Sequence, residues 1–170
     1  QRQMCIRDSP ETTLGPMAQT RFADLVRAQT KEAIAAGATA HIKPEAFPED
    51  NGAYLMPQIL TNVSHDMRIM REESFGPVVG IMPVTNDAEA IALMNDSNFG
   101  LTASLWTQNR ARAETIADQI ETGTVFLNRA DYLDPALCWT GCKDTGRGGG
   151  LSVIGFHNLT SPTSYHFKKV

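Results

Sequence analysis

The chain has 170 residues, with a hydrophobic content of 42% and a charged content of 20%, which is ordinary for a globular domain. Its formal net charge of −4 gives no electrostatic basis for binding nucleic acid or an anionic membrane. No apolar run approaches the ~20 residues that a membrane-spanning helix needs, and no export signal is visible. The cysteines are few and odd in number, which favours a reducing compartment, so we expect a cytoplasmic protein.

The first residues are expected to lie outside the folded domain. Residues 1–9 show no hydrophobic periodicity and do not begin with Met, so we interpret them as a disordered tail or a sequence artefact. Loop composition continues through Pro16. We therefore predict a leader at residues 1–13.

Apolar residues recur at helical spacing from Met17 to Ala36, which predicts an amphipathic helix. The predicted apolar face contains Phe22, Leu25, Val26, Ala33 and Ile34. Gly37 is suited to end this helix as the residue after its C-cap. A short strand is predicted at 38–42, a surface loop at 43–52 and extended chain at 53–63.

The next segment contains a candidate binding pair, Glu73 and Phe75. In an extended chain, residues two apart point to the same face. A carboxylate accepts hydrogen bonds only and suits paired hydroxyl donors such as those of a ribose, while a ring offers a flat surface to a heteroaromatic group. Gly76 and Pro77 then interrupt the chain. From these residues alone, a solvated acidic lead-in to a buried strand is the favoured interpretation.

Strand and helix patterns then alternate, which predicts an α/β sheet with parallel crossovers. The predicted elements are a buried strand at Val78–Val84, a helix capped by Asn86 or Asp87 and running to Asp96, a strand at Thr102–Thr107, a helix from Asn109 through Ile120, and a strand at Thr124–Leu127. A helix is predicted at Leu151–Leu159 and a terminal strand at Thr163–Lys168.

Residues 129–150 lack regular periodicity and predict a long loop, and loops of this length are usually functional. Cys142, with Lys143 beside it, is a possible nucleophile, and Cys138 and Cys142 with His157 and His166 are possible zinc ligands. No second ligand pair follows at zinc-site spacing, so we predict no metal. Ordinary loop cysteines remain the favoured interpretation. The glycines of residues 146–150 do not follow a strand, so they indicate close packing better than a phosphate site.

Several motifs resemble those of the aldehyde dehydrogenase superfamily and occur in that family's order. Residues 72–78, Glu-Glu-Ser-Phe-Gly-Pro-Val, resemble its Glu-Glu-Ile-Phe-Gly-Pro-Val signature, with Ser74 in place of the Ile. Further similar segments are residues 95–101 (Asn-Asp-x-x-Tyr-Gly-Leu in the family), residues 123–128 (Gly-x-Val-x-x-Asn) and residues 139–146 (Phe-Gly-Gly-x-Lys-x-Ser-Gly). The resemblance covers about Leu14 to Val170.

The resemblance implies an α/β fold: the parallel-sheet portion of the family's catalytic domain at residues 14–162, followed by an assembly strand at 163–170. It also implies that the partners are a small aldehyde and, through that strand, further copies of the chain. We therefore expect a homo-oligomer that binds neither nucleic acid nor a membrane.

The resemblance also implies individual site residues. Glu73 falls on the family position that contacts the ribose beside the nicotinamide of NAD or NADP, and Phe75 falls on a position near the nicotinamide ring. Leu133 and Trp139 fall on positions that line the aldehyde tunnel. The position of Tyr132 in this site is left undecided.

Members of the family oxidise an aldehyde to a carboxylate through attack by a cysteine thiolate, hydride transfer to NAD(P)⁺ and thioester hydrolysis with a glutamate as base. Both catalytic groups precede the segment that residues 14–17 resemble. We therefore predict the C-terminal part of such an enzyme, with no catalytic residue of its own.

Two alternatives stay open at this point. The chain could be a non-catalytic assembly or regulatory module that pairs through residues 163–168, because strand edges recruit partners. It could also belong to a semialdehyde dehydrogenase that transfers the acyl group to coenzyme A.

Overall fold

A computed structural model describes residues 14–47, 51–130 and 132–169. These residues form two compact units, within Gln1–Pro83 and Val84–Val170, and each unit is described by itself. The predicted leader at 1–13 lies outside the described residues. The domain boundaries at 14–162 and 163–170 remain predictions.

Helices and strands alternate between residues 78 and 127 as predicted, apart from one additional two-residue strand, and three further short strands follow. The helices are α1 (Thr20–Ala35), α2 (Arg68–Arg71), α3 (Asp87–Asn95), α4 (Arg110–Ala117) and α5 (Ser152–Asn158), with a 3₁₀ turn at Pro44–Ala46. The strands are β1 (Thr39–Ala40), β2 (Gln58–Thr61), β3 (Val78–Gly80), β4 (Phe99–Gly100), β5 (Thr102–Leu105), β6 (Thr124–Leu127), β7 (Trp139–Thr140), β8 (Cys142–Lys143) and β9 (Gly149–Gly150).

Each unit contains a parallel strand pair, which confirms the predicted α/β class. In the first unit, β2 lies between β1 and β3, antiparallel to β1 and parallel to β3. In the second unit, β5 and β6 are parallel and α4 connects them. The predicted long loop is more ordered than expected, because β7 pairs with β9 and β8 pairs with β4, both antiparallel.

Helix α1 ends as predicted, but its buried stripe is offset from the predicted face. Gly37 has φ +105°, and the Ala38 amide donates to the Ala33 carbonyl at 2.9 Å, as in a Schellman motif. The buried residues are Ala23, Val26, Gln29 and Ala33. The predicted face residues Phe22, Leu25 and Ile34 are about 40% exposed (39%, 40% and 43%). Of these, Ala33 packs in one cluster with Leu60 of β2.

The first unit has two apolar clusters that share Val78. One is formed around Leu60, which is fully buried, and the other around Val26. Gln58, the first residue of β2, has a buried side chain. Its side-chain oxygen accepts from the Ile42 amide at 2.8 Å, and its side-chain nitrogen donates to the Ile42 carbonyl at 2.9 Å. This satisfied amide holds the chain after β1 against β2.

The prediction of one long buried strand at 78–84 is wrong. The strand ends at Gly80, and Val79 and Ile81 are 53% and 52% exposed. Alternate residues of a strand face opposite sides, and Val78 packs on the clusters near α1. Val79 lies on the other side and stays about half exposed, so it is not part of either cluster.

Helices α3 and α4 of the second unit begin at the predicted caps. The Asn86 side chain accepts from the Glu89 amide, and the Asn109 side chain accepts from the Arg112 amide. Arg112 also pairs with Asp87, which joins α4 to the first turn of α3. Helix α4 ends earlier than the predicted Ile120.

The predicted terminal strand does not form within the chain. Residues 160–169 carry neither helix nor strand, and the side chains are exposed. A strand needs a hydrogen-bonded neighbour, and the described residues offer none to this segment. None of the helices described is both long enough and apolar enough to cross a bilayer.

Replacing Leu60 tests the centre of the first unit. Leu60→Ala should lower the free energy of unfolding by about 2–5 kcal/mol, because it leaves a cavity at a fully buried site. The adjacent Ile59 is 39% exposed, so Ile59→Ala should cost less than about 1 kcal/mol. Urea denaturation of the two variants measures both values, and equal losses would contradict this core assignment.

Candidate functional site

The predicted site residues fall in two places. Glu73 and Phe75 lie in the first unit, on the irregular segment between α2 and β3. Leu133 and Trp139 lie in the second unit, after β6. The two members of each pair therefore lie in the same unit, and each pair is described within that unit.

The segment with Glu73 is anchored at its beginning by Glu72. The Glu72 carboxylate accepts from Arg68 Nε at 2.8 Å and from Gln29 Nε2 at 3.1 Å. Arg68 also pairs with Glu32 of α1, with an Nη1–Oε1 distance of 2.9 Å. The hydrogen bond from Arg68 lowers the pKa of the Glu72 carboxyl, and the bond from Gln29 lowers it further. Both helices of this unit thus hold the residue that precedes Glu73.

The same segment is anchored at its end by Gly76. A Cβ placed on Gly76 would lie 2.8 and 2.9 Å from the two methyl groups of Val26 and 3.1 Å from Leu55 Cδ2. A larger residue would require these core side chains to shift, so glycine permits the close approach. Beyond it, the Pro77 carbonyl accepts from the Gln58 amide at 2.9 Å, at the start of the β2–β3 pairing.

Between the two anchors, Glu73 and Phe75 point toward solvent. Glu73 is exposed, and its carboxylate has no hydrogen bond or ion pair within the described residues. Phe75 is 83% exposed, so most of its ring surface is accessible. An available carboxylate and an available ring, held on a fixed segment, suit a ligand with both hydroxyl donors and a flat ring.

An apolar hollow of about 690 Å³ lies beside Phe75. Its lining residues include Leu14, Met17, Phe22, Leu55, Phe75 and Pro77. Because this lining is almost entirely apolar, the hollow can accept a ring or an apolar segment and offers little to a free anion.

Trp139 borders a second cavity, of about 270 Å³, in the other unit. The half-buried indole shares this cavity with Phe126, Tyr132, Leu137 and Leu151, among others. The Arg129 guanidinium lies 4.2 Å from the centroid of the Tyr132 ring. Tyr132, left undecided from the sequence, therefore belongs to the same cavity as Trp139.

Leu133 is 55% exposed and does not line the cavity that contains Trp139. The two predicted tunnel residues thus lie in one unit without sharing one cavity. The aromatic lining residues near Trp139 could have been suspected from the composition of residues 126–139, but the sequence does not show which of them face inward.

The loop cysteines have local partners. Cys142 Sγ is 3.0 Å from the Glu121 carbonyl and donates to it. Cys138 Sγ would lie 2.7 Å from a Cβ on Gly149, so these residues pack closely. The described residues contain no group of three or more His, Cys, Asp or Glu side chains placed to hold a metal ion.

Comparison with known proteins identifies the family. The Aldehyde dehydrogenase family profile matches residues 2–164, nearly the whole chain. The chain belongs to the aldehyde dehydrogenase family. The matched range includes most of the predicted leader and stops short of the C-terminus.

Curated relatives of this aldehyde dehydrogenase family chain are similar over most of its length. An aldehyde dehydrogenase of Paenarthrobacter nicotinovorans is 41% identical over 150 residues, which cover 88% of this chain and 32% of that protein. The NADP(+) succinate-semialdehyde dehydrogenase of Deinococcus radiodurans is 36% identical, over 89% of this chain and 32% of that protein. The chain therefore spans about a third of the length of these relatives.

Solved structures of the family also match. Succinic semialdehyde dehydrogenase from Streptococcus pyogenes, in complex with NADP⁺, has a TM-score of 0.79 at 37% identity, over 87% of this chain and 32% of that one. Betaine aldehyde dehydrogenase from Staphylococcus aureus, in complex with NAD⁺, has a TM-score of 0.79 at 30% identity, over 88% of this chain and 30% of that one. The resemblance noted from the motifs is thereby confirmed at the level of family and fold.

The anchor at Glu72 predicts an acid-sensitive contribution to stability. Because its pKa is lowered in the folded state, this contribution is fully present above the unfolded-state pKa and is lost as pH falls through the lower folded-state pKa. Urea denaturation of the parent and of Glu72→Gln should therefore give a larger gap in unfolding free energy near about pH 7 than near about pH 3. A gap that does not change with pH would contradict the anchor.

Proposed function

We propose that this chain supplies the ribose and nicotinamide contacts, and part of the substrate tunnel, of an NAD(P)-dependent aldehyde dehydrogenase that oxidises an aldehyde to a carboxylate. The family membership of the chain is the observation that carries the proposal. The contact residues are Glu73 and Phe75, and the tunnel residues are Leu133 and Trp139.

The exposed state of Glu73 and Phe75 supports the first role. A carboxylate with no partner among the described residues can accept from both hydroxyls of a ribose. The ring of Phe75, 83% exposed and beside an apolar hollow, can cover one face of a nicotinamide. When bound, NAD(P)⁺ accepts the hydride, while these residues bind and orient it.

The half-buried indole of Trp139 supports the second role. It narrows the space around it, and its one N–H can donate to a polar substrate group. Leu133, 55% exposed, adds apolar surface. In this proposal the nucleophilic thiol and the general base come from polypeptide other than these residues. The chain positions the cofactor and shapes the substrate tunnel, and it forms no covalent bond to the substrate.

A chimera tests the role of Glu73. We would exchange this chain for the matching third of the Streptococcus pyogenes enzyme and introduce Glu73→Gln. Loss of a charge-assisted acceptor should weaken cofactor use about 10- to 100-fold in kcat/KM, since such bonds contribute about 1.5–3 kcal/mol. Glu45→Gln is the matched control, because Glu45 is an exposed carboxylate on the 3₁₀ turn. Unchanged cofactor kinetics in an active chimera would refute the assignment.

A second function, assembly through the C-terminal segment, is supported by exposed aromatic rings. Tyr165 and Phe167 are 77% and 84% exposed, and their rings stack with centroids 5.8 Å apart. A segment with unpaired backbone groups and an aromatic face suits pairing with a strand of another copy. This role is compatible with the enzyme and with a non-catalytic module.

A cytoplasmic location and the choice between hydrolysis and acyl transfer to coenzyme A stay at the level of proposals.

Deleting residues 165–170 tests assembly. The intact chain should form oligomers, and the truncated chain should be monomeric by light scattering, because the pairing segment and its rings are gone. The control Tyr165→Phe keeps an aromatic ring and should preserve the oligomer. A monomeric intact chain, or an oligomer that survives the deletion, would argue against this role.

A further inference from the structure

The loop that carries Trp139 is held by the short β7–β9 and β4–β8 pairings and, in addition, by one ammonium group. Lys143 follows Trp139 on the same loop, and its side chain is 23% exposed. Its Nζ lies 2.6 Å from the Asn95 carbonyl and 2.7 Å from Glu121 Oε2. We infer that Lys143 is a positioning residue that holds the Trp139 loop in place through these two oxygens.

Asn95 is a favourable partner for a cation because of its place in α3. It is the last residue of the helix, so its carbonyl is among those without a partner inside the helix. Carbonyls at this end carry partial negative charge, and an ammonium there stabilises the helix end. Lys143 therefore caps the C-terminal end of α3, and the same hydrogen bond fixes the Lys143 side chain.

Asn95 also links α3 to the turn before β6. Its side-chain nitrogen donates to the Gln119 carbonyl at 2.8 Å, and its side-chain oxygen accepts from the Glu121 amide at 2.8 Å. The carboxylate of Glu121 then meets Lys143. Three segments far apart in sequence thus converge at one ammonium group.

Neighbours of Lys143 reinforce the same attachment. The Asp144 amide donates to the Asn98 carbonyl at 2.8 Å, and Thr145 Oγ1 accepts from the Gly100 amide at 2.9 Å. Lys143 itself has φ +56°, a left-handed conformation that costs free energy for a residue with a side chain. The surrounding contacts offset this cost, which indicates that the loop is held in one conformation.

The inference rests on the proposed function only where it gives Trp139 a role in the aldehyde tunnel. Without the Lys143 attachment, the loop would open locally and the indole would gain solvent exposure. A side chain that shapes a substrate tunnel must be fixed, because small displacements alter the fit. Lys143 would thus determine the tunnel without touching the substrate.

Tryptophan fluorescence tests the attachment without aldehyde or cofactor. All proteins carry Trp106→Phe, which removes the other indole, so that Trp139 alone reports. Acrylamide quenching of Lys143→Met should rise about twofold over the parent, because the loop is released locally. Lys143→Arg keeps a cation and should restore most of the protection. Lys31→Met, at an exposed lysine of α1, should leave quenching unchanged.

Far-UV circular dichroism separates local release from global unfolding. If Lys143→Met loses its helical signal, Glu121→Gln is decisive, because it removes one partner and leaves the Asn95 carbonyl; a smaller rise in quenching is then expected. Unchanged quenching in the folded lysine variant or in Glu121→Gln, or an arginine variant quenched as strongly as the methionine one, would overturn the inference. Failure of the aldehyde assignment would leave these results unaffected.

Discussion

The close approach of Gly76 to Val26 and Leu55 is the constraint on which the presentation of Glu73 and Phe75 depends. The glycine places backbone directly on the core, so the chain before it cannot fold back into the interior. With Glu72 held by Arg68 and Gln29 at the other end, the intervening residues face outward. The hydrogen-bonded carboxylate of Glu72 and the close packing of Gly76 together fix the short irregular segment between them.

In the second unit, a candidate site residue is held in place by polar contacts. Its loop carries Trp139 and is attached by Lys143 to the end of α3 and to the turn before β6. In both units, residues that resemble family motifs are partly structural, since they hold neighbours such as the exposed Phe75 and the half-buried Trp139.

Periodicity predicted the main helices and the parallel strands, but the strand predicted at 78–84 is shorter and the one predicted at 163–168 does not form. The parallel pairs and the caps at Asn86 and Asn109 follow from local patterns, which single sequences carry. Gln29 on the buried stripe of α1 was missed because a polar residue does not register as apolar. Exposure of Val79 was missed because a run of apolar residues does not show how many layers cover it. The β8–β4 pairing joins segments far apart in sequence, and two-residue strands leave no period to detect.

Spacing and residue type singled out Glu73 and Phe75 as candidates, whereas Leu133 and Trp139 were accessible only through resemblance. Neither the exposure of Phe75 nor the cavity around Trp139 can be read from residue type. In the proposed function, this polypeptide binds the cofactor and shapes the substrate tunnel but supplies neither the nucleophile nor the general base. The most direct measurement is reduction of NAD⁺ or NADP⁺ by the purified chain with a panel of aldehydes, beside the Streptococcus pyogenes enzyme as positive control. The account predicts no NAD(P)H from the chain while the control is active; substantial turnover by the chain alone would contradict it.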